Sequence, residues 1–124
     1  MAKVKKSKYV HRIDLNPYNI DLITCIGDKG LDKARDLLGI NFEESWYSGN
    51  GIGGGVYKLE DYTTILCVLH RNEAEVIAHE GLHILSYVME HSGMKWDCGN
   101  DESLAYLIGY IAKELDDAWN KANK

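Results

Sequence analysis

Two histidines four residues apart flank a glutamate in the run His79-Glu80-Gly81-Leu82-His83. On a helix, residues i and i+4 stand one turn above the other on the same face. Their imidazole nitrogens can then close on one zinc ion at about 2.0–2.1 Å. The glutamate after the first histidine sits beside that face, where it can take a proton from an activated water without ligating the metal. A catalytic zinc normally needs a third protein donor. Asn100-Asp101-Glu102-Ser103-Leu104-Ala105-Tyr106 opens a later helical pattern and places Glu102 nineteen residues after His83. Glu102, Ala105 and Gly109 share one stripe, and small residues there would let this helix approach a notch at Gly81. Glu102 is therefore the expected third ligand. Asp101, better placed to cap the helix, is the alternative, and other donors stay open.

Helices must hold these residues, and the flanking sequence supplies their start and stop signals. Val76, Ile77, Leu82, Leu85, Val88 and Met89 give the first helix an apolar side. Asn72 can cap it near Glu73, and Gly93 can end it after about His91. The last helix is expected over about 101–118, with Ile108, Ile111 and Leu115 as core. Upstream, Leu31, Ala34, Leu37 and Leu38 fall on one helical face that Gly39 can terminate. Tyr9–Leu15 alternates as a strand, and Asn16-Pro17 reads as a helix cap followed by a first-turn proline. Ile40–Tyr47 is weakly strand-like. Val56–Leu59 and Thr63–Leu69 are rich in β-formers. Between them and the weak strand, five of the seven residues from Gly49 to Gly55 are glycine, a flexible connection that lacks the Gly-Lys-Ser/Thr ending of a phosphate loop. The order predicts an α+β domain, with helices packed on one face of a small sheet.

Composition sets the frame. A chain of 124 residues with 45% apolar and 27% charged content is one soluble domain, residues 1–124, with material for one modest core. Fourteen Lys and Arg against nineteen Asp and Glu give −5, which argues against a phosphate-binding surface and so against nucleic acid. Apolar runs such as Ile65–Leu69 and Leu104–Ala112 are far short of the ~20 residues of a membrane span. Residues 1–8 carry four lysines with no apolar stretch behind them, so they read as a flexible basic tail rather than an export signal. Cys25, Cys67 and Cys98 are an odd number without Cys-x-x-Cys spacing, as expected of a reducing, cytoplasmic setting. Cys25 and Cys67 read as core and Cys98 as a loop thiol. His11 and His70 have no partner spacing and read as structural.

His79-Glu80-x-x-His83 followed by Glu102 resembles the gluzincin branch of the zincin metallopeptidases. Together with Asp101-Glu-Ser-Leu-Ala-Tyr-Leu-Ile-Gly-Tyr110 it also looks like small metallopeptidases carried by phages and other mobile elements. The resemblance covers about residues 56–115. It implies a minimal zincin-like fold, a small mixed sheet packed against an active-site helix and a C-terminal helix. It further implies Zn2+ on His79, His83 and Glu102, Glu80 as general base, and a peptide or protein substrate. Larger gluzincins often carry an aspartate four residues after the ligand glutamate; here that position is Tyr106. No oxyanion-stabilising residue is matched by motif, and Tyr106, Tyr110, Tyr57 and His91 are the candidates, each more readily explained by packing. The alternative expectation is a non-catalytic zinc-binding module that binds a partner protein.

Overall fold

In a computed structural model, residues 7–61 and 63–124 are described. The tail expected over residues 1–8 lies largely outside them, although Ser7 already accepts a hydrogen bond from the Tyr9 N–H through its Oγ at 3.2 Å. The elements are β1 (Val10–Leu15), β2 (Ile20–Ile26), α1 (Gly27–Leu38), β3 (Gly54–Lys58), β4 (Thr64–Leu69), α2 (Ala74–Ser92) and α3 (Asp101–Ala122). They form an α+β fold around one mixed sheet of order β1-β2-β4-β3. β1 and β3 are antiparallel to their neighbours, and the central pair β2 and β4 is parallel, with Leu22 opposite Ile65 and Cys25 opposite Val68.

β2 replaces the helix expected after Pro17. Tyr18 N–H closes a turn onto the Leu15 carbonyl at 2.8 Å, and Asn19 adopts a left-handed φ of 56°. The chain then returns as Ile20-Asp-Leu-Ile-Thr-Cys-Ile, almost wholly buried. A strand covered on both faces has no alternation to betray it. That double cover is the second difference from expectation. Leu15, Leu22, Ile65, Cys67 and Leu69 pack under α2 and α3, whereas Val10, Ile23, Cys25, Leu66 and Val68 pack under Leu31 and Ala34 of α1. The helices therefore lie on both faces rather than one.

The expected strand at Ile40–Tyr47 is absent. Ile40, Phe42, Trp46 and Tyr47 instead pack partly against the α1-side core, and the chain makes short helical turns at Glu44–Trp46 and Ser48–Asn50. Gly39 and Gly93 end α1 and α2 in the left-handed region, as their positions predict. Asn72 does not cap α2. Its amide donates to Asp116 on α3 at 3.0 Å, and Glu73 occupies the cap position without a side-chain bond. Leu82 is exposed, outside the apolar side expected to hold it. Cys25 and Cys67 are buried free thiols and Cys98 is exposed; burial pushes Cys25 up to about 12. Among the described residues, no helix is long and apolar enough to cross a membrane.

Candidate metal centre

α2 runs across the β3–β4 side of the sheet, while α3 lies on its other flank against β2. The turn of α2 that matters is fixed by what its faces meet. Gly81 faces α3: a Cβ there would lie 3.3 Å from Ile108 Cδ1 and 3.8 Å from Ile111 Cγ2. His79 and His83 are each two residues from Gly81, about 200° round the helix. They therefore face away from α3, toward the free edge of β3, and both are exposed.

The two imidazoles converge. Nε2 of His83 lies 3.3 Å from Nε2 of His79, with ring centroids 4.9 Å apart and planes at 71°. Two nitrogens bound at ~2.0–2.1 Å to a tetrahedral ion must sit about 3.3–3.4 Å from each other. The separation of the pair matches that distance, and in the metal-free chain the same approach is a hydrogen bond between the two rings. The Glu80 carboxylate lies beside the pair, one donor atom from each of His79, Glu80 and His83 falling within 4.8 Å of the others, and no further His, Cys, Asp or Glu among the described residues joins them as a third ligand.

Glu80 is buried, 5% exposed, and none of the hydrogen bonds among the described residues involves it. Burial raises its pKa above the ordinary carboxylate value, and the neighbouring His79 and His83 partly offset that rise. A glycine makes room for it. A Cβ at Gly54 would stand 2.6 Å from the Val68 carbonyl oxygen and 3.1 Å from Glu80 Cγ, so β3 can pass beneath the carboxylate only without a side chain there. The glycine-rich run is thus partly strand, and β3 begins at Gly54 rather than Val56.

Glu102 is not brought to the histidines. It is exposed in the first turn of α3 and is not one of the three clustered donors. Asp101 beside it is also exposed and equally outside the cluster. The notch at Gly81 receives Ile108, not the small stripe; Ala105 and Gly109 instead line an open groove with Ala74, Ile77 and Ala78. None of Tyr57, Tyr106, Tyr110 or His91 lines the cleft over the histidines, whereas Tyr87 does, with Trp46, Ile52 and Val56. Tyr87 continues the stripe of His79 and His83 by one further turn, a signal present in the sequence. Trp46 reaches the cleft from a loop, which no spacing announces.

His70 is structural, as expected, and has a specific task. Its side chain is 4% exposed, and Nε2 pairs with the Trp46 carbonyl oxygen at 2.7 Å. Nδ1 is buried without a hydrogen bond among the described residues, 3.7 Å from Asp28 Oδ1. Asp28 in turn accepts from the Ser48 N–H at 2.9 Å and from its hydroxyl at 2.6 Å. The loop carrying Trp46 is thereby moored beside the site. Comparison of the chain with protein-family models, with curated proteins and with solved structures returned no match.

Proposed function

We propose that the chain is a zinc-dependent hydrolase, a small metallopeptidase. The observation that carries this reading is the 3.3 Å approach of His79 Nε2 to His83 Nε2 with the buried Glu80 carboxylate alongside. His79 and His83 would hold the ion, which supplies the Lewis acidity that makes water nucleophilic near neutral pH and polarises a carbonyl. Glu80 is the general base: without a hydrogen bond among the described residues, raised in pKa by burial, and therefore ready to hold a proton taken from the attacking water. Tyr87, which continues the same stripe and lines the cleft, would be the group to donate to the carbonyl oxygen as it gains charge.

A metal that only braces a fold is normally enclosed by four protein ligands. The exposure of both histidines and the cleft above them favour chemistry over a bracing role. β3 is a sheet edge next to that cleft, and an extended peptide can add to such an edge through main-chain hydrogen bonds. That supports a peptide as substrate.

Elemental mass spectrometry of the untagged protein tests the metal, and digestion of a peptide mixture tests the reaction. About one zinc per chain is expected, lost in His79→Ala and His83→Ala and kept in Glu102→Ala. Glu80→Gln should keep zinc and lose cleavage by ~100-fold or more. Undiminished cleavage by Glu80→Gln would sink the mechanism, and zinc loss in Glu102→Ala would mean that α3 swings round α2 on binding.

A further inference from the structure

Gly54 and Gly55 leave both faces of β3 bare where it begins. On one face the space is taken by Glu80. On the other it is taken by Trp46, whose Cζ3 would stand 2.8 Å from a Cβ at Gly55. The metal-bearing helix and the indole therefore meet at the same strand edge from opposite sides. A single cleft of about 400 Å³ passes both, with Ile52, Val56 and Tyr87 on its walls.

The indole is held rather than draped. Its backbone carbonyl accepts from His70, its ring stands edge-on to Tyr57 at 5.5 Å, and Phe42 lies 6.4 Å away. The following residues are moored too, Tyr47 through its hydroxyl to Asp32 at 3.0 Å and Ser48 to Asp28.

We propose that Trp46 forms the specificity-determining wall of the cleft, a subsite for a large apolar side chain, aromatic ones included, next to the bond being cleaved. The inference rests on the metallopeptidase reading and adds a substrate class to it. In an extended peptide, successive side chains point to opposite faces. A peptide lying along β3 with one carbonyl toward His79 and His83 turns a neighbouring side chain to the face where Trp46 stands. Arg71 lines the adjoining space beyond Ile52 and Gly54, whereas on the Trp46 side the lining offers carbon surface from Trp46, Ile52 and Val56, with Ser45 among it and no Lys or Arg. Burying an aliphatic or aromatic group there gains from its area, whereas a charged one is left without a partner.

The test is digestion of a peptide library by the zinc-loaded chain and its Trp46→Ala and Trp46→Phe variants, read by mass spectrometry with Glu80→Gln as the blank. Wild-type cuts should concentrate beside Leu, Ile, Met, Phe, Tyr or Trp. That enrichment should fall about tenfold in Trp46→Ala, through KM more than kcat, and largely persist in Trp46→Phe. If circular dichroism shows Trp46→Ala to be unfolded, Ile52→Ser on the same wall must weaken the same preference. Cleavage without apolar preference, or a preference unmoved by these variants, overturns the subsite while the peptidase reading stands. No cleavage by the wild-type chain overturns both.

Discussion

Glu80 is costly to the fold when no metal is bound. Its carboxyl is buried with no hydrogen bond among the described residues, and desolvation lifts its pKa. A folded pKa above the unfolded one means that the native state binds this proton more tightly, so stability falls as pH rises through the carboxylate range. The penalty is absent below the carboxylate range and grows as pH rises through it. Metal-free Glu80→Gln should therefore be more stable than the metal-free parent at pH 7, by about 1 kcal/mol, with the difference gone at pH 3. Urea denaturation at the two pH values measures it, and a less stable Gln variant at pH 7 would refute the account. Gly54→Ala should act in the opposite direction. The added methyl meets the backbone oxygen of Val68 at 2.6 Å, which cannot rotate away. A loss of about 1–3 kcal/mol is expected, together with weaker zinc binding as Glu80 and its helix are pushed, both readable by titration. The His79, Glu80, His83 triplet was legible because helical spacing alone brings those side chains together. Glu102 was not, because its place depends on which flank of α2 receives α3, and that is settled by Ile108 filling the notch at Gly81. Gly54 was read as flexible for the same reason: its purpose lies in a neighbour distant in sequence.

Elements were legible where burial is one-sided. α2 and α3 show one buried and one wet face, β1 alternates from His11 to Leu15 although Val10 is buried on the opposite face, and these patterns gave them away. β2 and β4 are sealed by helices on both sides; β4 was still found from its β-branched residues, while β2, shadowed by Asn16-Pro17, was missed. The loop with Trp46 has no periodicity, since its order comes from tethers to other elements. Asp28 provides two of them through Ser48, and those hydrogen bonds hold its carboxyl below the usual aspartate value. A depressed folded pKa contributes stability that is complete above the unfolded value of ~3.9 and is lost as pH falls through the folded one. The mooring should thus be unchanged from pH 7 to about 5 and released in stronger acid. Amide exchange at Ser48 reports it directly. Asp28→Ala should speed that exchange several-fold at pH 6 while leaving the amides of β4 unaffected. Equal protection in both proteins would show that His70 alone holds the loop.

At the scale of the whole molecule, the candidate metal centre stands outside the core. Leu22, Leu66, Ile84, Ile111 and Leu115 are completely enclosed without help from any ion, whereas His79 and His83 open to solvent at the edge of the sheet. The fold therefore does not require metal in the way a chain too small for a core does. Zinc should stabilise it only by mass action, as a ligand that binds the native state better than the unfolded chain. At a free concentration 100 times Kd this is worth ~2.7 kcal/mol, which for a domain of this size is a rise in Tm of roughly 10 °C. Chelation should remove that increment and leave far-UV circular dichroism at 25 °C unchanged. The double variant His79→Ala/His83→Ala should fold and show no zinc-dependent shift. Unfolding on chelation would instead place the ion among the supports of the core and contradict the separation of site from scaffold. If the increment survives in the double variant, zinc binds elsewhere on the chain, and the imidazole pair is not its site.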